Sequence, residues 1–367
     1  MRIVRTTSYA AALLAAVMVL TSAAPASAAP ASAAPARDPG HGASILAVPQ
    51  TPTTLTSGLT IPWDVCWLPG GAAALVTERN SGRVYRLTPA GVRTLLGTVP
   101  GVLAGGEGGL LGCAVSPTWN GGTDRDVFFM HTSSSDNRVV RMAYTGGSSL
   151  TAGSTPILTG IVRASTHNGG RLKFGPDGNL YVTTGDAQQT NLAQNPSSLN
   201  GKILRITRTG AAAPGNPTAG SRVYSLGHRN PQGISWDSAG RLWAAEFGQN
   251  TWDEINLILP GRNYGWPVCE GTCGNPAYES PKWQRSTAEC SCSGLAIVDG
   301  AIYLGALRGQ RLWRLELSGT SIGASSVYWQ GTYGRIRAVE KVPGTNAIWF
   351  TTSNGNGTDT VRRSTIA

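Results

Sequence analysis

The sequence predicts an all-β fold, and its composition and patterning both favour that class. Glycine accounts for 48 of 367 residues, nearly twice the usual share of about 7%. Frequent glycines between short β-prone runs indicate many tight turns. Beyond the N-terminal segment, no apolar pattern at i, i+3 and i+4 is sustained, so we expect few helices.

A repeated strand narrows this class to a six-bladed β-propeller. A turn followed by a short run of small and aromatic residues recurs at intervals of about 55 residues, and a second strand-like run follows most copies. Four strands in about 40 to 50 residues are typical of a propeller blade. A β-sandwich or a pair of all-β domains is the alternative. The six copies are centred on Leu75, Val127, Leu180, Leu242, Ile302 and Ile348.

The N-terminal segment has the features of a cleaved signal peptide. Arg2 and Arg5 precede an apolar run at 10–20, and Ala26-Ser27-Ala28 resembles a cleavage site. We therefore expect a signal peptide at 1–28, a flexible Ala/Pro-rich leader at 29–50, and a propeller at 51–367. The chain is then secreted or otherwise extracytoplasmic, with no membrane span after cleavage.

The chain has six cysteines, which in an exported protein predict disulfides. Fifteen pairings are possible. Their clustering favours Cys66 with Cys113, and pairing of the remaining four among themselves. A zinc site is the alternative for those four, which are Cys269, Cys273, Cys290 and Cys292.

The charge balance is basic, with a formal net charge of +10. The arginines are scattered rather than clustered in runs. This distribution favours a basic solvated surface over nucleic-acid binding, and leaves a local anionic ligand possible.

Residues 165–186 form the stretch with the clearest chemical pattern. Pro176-Asp177-Gly178 between two β-prone runs predicts a tight turn. The resulting hairpin would place His167 at one strand end and Asp186 at another. A histidine beside a buried carboxylate is suited to act as a general base. A purely structural histidine is the alternative.

Three other loops contain candidate polar groups. Glu107 is the one charge in a glycine-rich loop at 105–112. His228, Arg229 and Asn230 form a donor cluster, in which Arg229 could polarise a carbonyl or hold an anion, or instead brace the loop. The segment at 246–256, followed by 261–267, carries carboxylates and amides that suit calcium. Its acidic pair, Asp253 and Glu254, could instead be solvated.

Three late arginines complete the candidates. Arg335 and Arg337 alternate, so they share one face of a strand. Together with Arg308 they would suit a polyanionic ligand in the channel.

Six segments together closely resemble the soluble quinoprotein sugar dehydrogenases of the glucose/sorbosone dehydrogenase family. The resemblance runs from about residue 58 to 363. Its motifs are PWDVCWLPGGAAALVTER, GEGGLLG, HNGGRLKFGPDGNLYVTTGD, GKILRI, GHRNPQG and DEINLILPGRNYGWP.

This resemblance implies a six-bladed propeller that binds pyrroloquinoline quinone (PQQ) and Ca²⁺. It implies that His167 removes the proton of the anomeric hydroxyl while a hydride passes to the quinone, and that Asp186 orients His167. Arg229 and Asn230 would meet the quinone oxygens, and Glu107 would also face the cofactor.

The resemblance also implies the ligands of metal and cofactor. Backbone carbonyls of Gly248 and Gln249 would hold the calcium at the quinone, although the family has a proline where this chain has Gln249. A second calcium would involve Glu254 and Tyr264. Arg308, in place of the family's lysine, would join Arg335 and Arg337 on the cofactor carboxylates. The segment at 290–294 departs from the family pattern.

The resulting hypothesis is an exported enzyme that oxidises aldoses to lactones. A calcium-dependent, lactonase-like propeller hydrolase and a non-catalytic binding propeller are the alternatives. We expect a small-molecule sugar substrate, an unidentified electron acceptor, and a monomer or homodimer.

Overall fold

The computed structural model describes residues 47–367 of the chain. The predicted signal peptide at 1–28 and most of the predicted leader at 29–50 lie outside the described residues. No helix among the residues that are described is long and apolar enough to cross a membrane.

The predicted six-bladed β-propeller is confirmed: twenty-four strands form six four-stranded antiparallel sheets. The one helix within 47–367 is the short α1 (Asn191–Gln194). In chain order the strands are β1 (Thr53–Leu59), β2 (Pro62–Trp67), β3 (Ala74–Glu78), β4 (Arg83–Leu87), β5 (Arg93–Thr98), β6 (Leu110–Val115), β7 (Asp126–Thr132), β8 (Asn137–Ala143), β9 (Thr155–Ile161), β10 (Leu172–Phe174), β11 (Leu180–Thr184), β12 (Lys202–Ile206), β13 (Val223–Leu226), β14 (Pro231–Trp236), β15 (Leu242–Glu246), β16 (Trp252–Ile258), β17 (Trp283–Ser286), β18 (Cys292–Val298), β19 (Ala301–Ala306), β20 (Arg311–Ser318), β21 (Ser321–Tyr328), β22 (Ile336–Lys341), β23 (Ala347–Thr352) and β24 (Asp359–Thr365).

The six repeated runs in the sequence are the second strands of the six blades. They correspond to β3, β7, β11, β15, β19 and β23, each next to the first strand of its sheet. These strands are buried almost throughout, which explains their apolar and aromatic composition. The second strand-like run that follows most of these copies in the sequence is the third strand of its blade.

The last blade is completed by the first strand of the fold. Strand β1 pairs with β24, so that Thr53 lies opposite Arg363. The last residues of the predicted leader extend this pairing, because the Val48 amide donates to the Ala367 carbonyl over 2.8 Å. The ring is thus closed by hydrogen bonds between its two ends.

The cores lie between neighbouring blades. In one of them, Leu75 and Val84 of the first blade pack against Phe129 and Val140 of the second. Burying each such side chain contributes about 1.5–3 kcal/mol. The Cys66–Cys113 disulfide joins the first strands of the same two blades, as predicted.

The remaining cysteines also pair as expected, among themselves. The disulfides are Cys269–Cys273 and Cys290–Cys292, and within 47–367 no cysteine is free. The alternative of a zinc site built from these four thiolates is therefore wrong.

The first strands of the six blades contact one another and form the inner ring. Charged side chains pair across this ring: the buried Arg171 pairs with the buried Asp64, and the partly buried Lys173 of β10 pairs with the buried Glu340 of β22 over 2.8 Å. Burial raises the pKa of the Glu340 carboxyl to about 6. These pairs link blades that are not neighbours in the ring.

Candidate active site

A polar cavity of about 280 Å³ opens at one end of the ring. Its walls come from connections between and within blades, which is where propellers usually bind ligands. Lining residues are Arg79, Glu107, Thr166, His167, Arg229, Asn230, Gln232, Phe247, Gly248, Gln249, Asp253, Thr287, Ser291, Leu307, Arg308, Arg335 and Arg337.

The structure brings most of the candidate residues to this one cavity. The exceptions are Asp186, which lies directly behind His167, and the pair Glu254 and Tyr264, which lie outside the lining. Those in the wall are Glu107, His167, Arg229, Asn230, Gly248, Gln249, Arg308, Arg335 and Arg337.

The predicted hairpin places His167 against Asp186. Residues 172–174 pair with 180–182, so the segments before β10 and after β11 emerge side by side. The His167 Nδ1 atom lies 2.7 Å from Asp186 Oδ1, and the aspartate side chain is fully buried. His167 has a φ of 58°, a left-handed conformation that non-glycine residues rarely adopt.

The close packing of the two segments requires a glycine two residues after His167. Gly169 has a φ of 65°, and a Cβ there would lie 2.6 Å from the Thr183 carbonyl oxygen. Glycine is the residue that tolerates both conditions. The glycine at position 169 of the HNGG sequence thus allows the close packing that brings His167 next to Asp186.

The tautomer of His167 follows from its two partners. A guanidinium nitrogen, Nη2 of Arg229, lies 2.8 Å from His167 Nε2. Because a guanidinium only donates, Nε2 acts as the acceptor and the ring proton is on Nδ1, facing Asp186. The lone pair of Nε2 therefore faces the Arg229 guanidinium in the cavity wall.

Arg229 is held by neutral groups of the neighbouring loop. Its Nε donates to Gln249 Oε1 over 2.9 Å and its Nη1 donates to the Phe247 carbonyl over 3.2 Å. The Trp266 ring lies under the guanidinium at 5.5 Å. Burial lowers the pKa of Arg229, an effect that the charges of Asp186 and Glu246 oppose.

The opposite wall of the cavity is strongly positive. Burial, together with the charges of Arg79 and Arg335, lowers the pKa of Arg337 to about 9. Its guanidinium donates only to neutral oxygens, Ser353 Oγ at 3.0 Å and Gln232 Oε1 at 3.2 Å. No carboxylate within 47–367 forms an ion pair with it. Such a wall is suited to an anion.

The Gly248–Gln249 segment is fixed from two sides. The Gly248 amide donates to Asp253 Oδ1 over 2.8 Å. A single oxygen of Glu270 accepts from the four amides of residues 249–252, at 2.7 to 3.0 Å. Across the described part of the chain, no donor pairs with the carbonyl oxygens of Gly248 or Gln249.

The acidic pair is buried, so the alternative that it is solvated is wrong. Both residues belong to strand β16 rather than to a loop. Burial raises the pKa of Asp253 to about 6. Burial and the nearby charge of Glu246 raise the pKa of Glu254 to about 7.

Glu254 and Tyr264 do not line the cavity. Asn256 Nδ2 donates to Glu254 Oε2 over 3.0 Å, and Asn256 Oδ1 is a buried acceptor without a partner. The Tyr264 hydroxyl donates to the Leu257 carbonyl and accepts from the Leu259 amide. The tyrosine oxygen is therefore already satisfied by protein groups.

Several site residues were missed by sequence reasoning. Arg79 lines the cavity and directly follows the repeated strand β3. Its place at the end of a predicted strand was a signal that could have identified it. Trp266 donates to Asp186, and it lies in the DEINLILPGRNYGWP motif, whose family resemblance implied no role for the tryptophan. Glu270 had no local signal, because its amide partners are about twenty residues away.

Comparison with known proteins gives a consistent picture. A family model described as Glucose / Sorbosone dehydrogenase matches residues 59–362. The solved structure of PQQ-bound aldose sugar dehydrogenase from Streptomyces coelicolor is 44% identical, with a TM-score of 0.81, covering 87% of this chain and all of that one.

Two curated relatives extend the comparison. Quinoprotein glucose dehydrogenase B of Acinetobacter calcoaceticus is 32% identical over 284 residues, or 67% of this chain. The match spans only 59% of that relative's length. Aldose sugar dehydrogenase YliI of Escherichia coli is 28% identical over 342 residues, covering 82% of this chain and 90% of the relative.

Proposed function

The chain belongs to the glucose/sorbosone dehydrogenase family, and from this membership we propose that it is an exported, PQQ-dependent aldose dehydrogenase. It oxidises the anomeric hydroxyl of an aldose to the lactone. The observation that carries the proposal is the His167–Asp186 pair, held at 2.7 Å, in which His167 lines an arginine-rich cavity.

The cavity fits a polyanionic quinone. Arg308, Arg335 and Arg337 present positive charge that no carboxylate within 47–367 neutralises by an ion pair. On the other wall, Asn230 Oδ1 accepts from the Gly169 amide, and its buried Nδ2 has no partner. A buried donor without an acceptor is costly, and a ligand oxygen would satisfy it. Asn230 and Arg229 are therefore proposed to contact the quinone oxygens.

Proton removal is assigned to His167. Its Nε2 accepts the hydroxyl proton, and the carboxylate of Asp186 stabilises the imidazolium that forms. The anomeric carbon loses its hydrogen with the bonding electron pair, and the C–O bond becomes the lactone carbonyl. When bound, PQQ supplies the two-electron acceptor for that hydride.

Arg229 and Glu107 prepare this step. The guanidinium of Arg229 donates to Nε2 in the absence of substrate, and it is positioned to stabilise negative charge that develops in the cavity. Glu107 Oε2 accepts from the His167 amide over 2.9 Å. This bond holds the histidine backbone in its left-handed conformation.

Calcium is proposed at two places. The free carbonyls of Gly248 and Gln249 are hard oxygen donors next to the buried carboxylate of Asp253. Behind them, Glu254 and the unpartnered Asn256 Oδ1 would suit a second ion. Because the Tyr264 hydroxyl is satisfied, Tyr264 would contribute its backbone carbonyl.

We also propose a location outside the cytoplasm and two partners for the protein. The three disulfides support an extracytoplasmic location, consistent with the predicted signal peptide. The proposed partners are a small sugar and a separate electron acceptor of unidentified nature.

Reconstitution tests the function. The mature protein is mixed with Ca²⁺ and PQQ, and dye reduction is followed with a panel of aldoses. We expect cofactor-dependent turnover that falls by about 10²–10⁴-fold in His167→Gln, with quinone binding retained.

His131→Gln is the matched control, because His131 is buried in β7 away from the cavity and its loss should leave turnover unchanged. Absence of quinone binding by the folded wild type would contradict the proposal. Lactone hydrolysis by that protein would then favour a hydrolase.

A further inference from the structure

The carboxylate of Asp186 is held by three donors, and one of them is the indole of Trp266, which lies outside the cavity lining. Oδ1 lies 2.7 Å from His167 Nδ1 and accepts from the Gln188 amide over 2.9 Å. Oδ2 accepts from the indole N–H of Trp266 over 2.8 Å. Because this carboxylate is fully buried, the indole fills a position that water would otherwise need to occupy.

Trp266 is itself fixed in place. Its amide donates to the Gly227 carbonyl over 2.9 Å, and its carbonyl accepts from Gln194 Nε2 over 2.6 Å. The Arg229 guanidinium lies over its ring. The indole is thus anchored through its backbone and its ring while its N–H points at Asp186.

We propose that Trp266 is a positioning residue for the base: its N–H orients the Asp186 carboxylate toward His167 and limits the negative charge that the imidazole experiences. The assignment of His167 as the base rests on the proposed function. The contact itself does not, because it is a property of the folded chain.

The physical argument concerns the carboxylate. A hydrogen bond from the indole stabilises the ionised form of Asp186 and draws charge toward Oδ2. Without it, the charge is concentrated on Oδ1 beside the imidazole. The imidazolium is then favoured, so His167 should hold its proton to higher pH.

None of the other charged groups around His167 is hydrogen-bonded to the indole N–H, whose one partner among the described residues is Asp186 Oδ2. Glu107 faces its backbone amide, Arg229 faces Nε2, and Asp186 faces Nδ1. The remainder of the cavity is lined by the charged residues Arg79, Asp253, Arg308, Arg335 and Arg337. A change in titration can therefore be assigned to the bond on Oδ2.

The test is Trp266→Phe, which keeps an aromatic ring and removes the N–H. The His167 pKa is measured by NMR of the imidazole nitrogens in the full-length mature protein without added quinone. We expect it to rise by about half a unit or more. Trp119→Phe is the matched control, because Trp119 Nε1 donates over the same 2.8 Å to the Tyr144 carbonyl, far from the cavity lining. It should leave the pKa of His167 unchanged.

Turnover provides the second readout. In the reconstituted enzyme, kcat of Trp266→Phe should fall by about 10- to 100-fold with little change in KM, and the acidic limb of kcat should move to higher pH. A pKa of His167 that is unchanged or lower in Trp266→Phe overturns the proposal. Absence of turnover by the wild type defeats the proposed function instead, while the NMR result still decides the role of Trp266.

A second replacement covers the case in which Trp266→Phe does not fold. Benzothienylalanine at position 266 has the shape of tryptophan but carries sulfur in place of the N–H. It should raise the His167 pKa in the same way, and an unchanged value would again overturn the proposal.

Discussion

Arg337 carries its charge in a buried position where it meets only neutral oxygens. Burial and two neighbouring guanidiniums lower its pKa to about 9, so the folded state bears a free-energy cost for this charge. Such uncompensated charge is typical of a site that is completed by a ligand. We therefore expect Arg337 to lower the stability of the protein alone and to contribute affinity for the anion.

Replacing Arg337 should separate these two effects. Arg337→Met is expected to raise the free energy of unfolding of the protein alone by about 1–2 kcal/mol and to weaken PQQ binding by about 100-fold. Arg314→Met is the control, because Arg314 is equally buried but pairs with Glu316 at 2.9 Å. This control should lose about 1–3 kcal/mol. Urea denaturation and fluorescence titration with PQQ measure the two quantities, and destabilisation by Arg337→Met would contradict the argument.

At the scale of elements, the connection between β16 and β17 acts as a clamp on the site. Trp266 reaches Asp186, Glu270 binds the amides of residues 249–252, and the Gly271 amide donates to Glu254 over 2.7 Å. The Cys269–Cys273 disulfide encloses the last two contacts. One irregular segment thus fixes both the base and the proposed calcium carbonyls.

The Glu270 contact makes this clamp testable without turnover. Glu270→Ala should weaken Ca²⁺ binding by about tenfold or more, because the Gly248–Gln249 carbonyls lose their support. Glu270→Gln keeps one acceptor oxygen and should lose less. Isothermal titration with Ca²⁺ measures the affinity, and thermal melts establish that both variants fold. Equal affinity in all three proteins would show that the clamp does not position the carbonyls.

The clamp also shows where sequence reasoning succeeded and where it failed. Residues 167 and 186 could be placed together because a short hairpin joins them, and the turn of that hairpin can be predicted from the local sequence. Trp266 could not be placed, because 80 residues separate it from Asp186 and no periodicity marks its loop. The second strands were found because they are buried on both faces. Strand β1 is half-exposed, and its pairing with the far end of the chain leaves no local pattern.

At the scale of the whole molecule, a charge pair links two blades across the axis of the ring. Lys173 and Glu340 belong to the third and sixth blades, which face each other in a ring of six. The pKa of Glu340 is raised above its unfolded value of 4.5 to about 6. Between these values the folded state holds more protons, so this carboxyl contributes stability at low pH that is lost as pH rises through about 6.

Removing the lysine should enlarge that effect. Lys173→Met leaves the Glu340 charge uncompensated, so we expect a loss of about 2–3 kcal/mol at pH 8. At pH 5 the protonated carboxyl needs no partner, and the loss should shrink. Denaturation of wild type and variant at both pH values measures the difference. The double variant with Glu340→Met should recover most of the stability, and a loss independent of pH would contradict the role assigned to the pair.

The closure of the last blade has a consequence for chain order. Val48 and Ala367 exchange backbone hydrogen bonds at 2.8 and 3.1 Å, so a short linker could join the two positions without disturbing any strand. The polypeptide would then be circular, with the six blades in succession, and it could be opened at an exposed connection between blades. The order in which the blades occur along the chain is therefore separable from their arrangement in space, and circularly permuted forms could present either terminus beside the cavity.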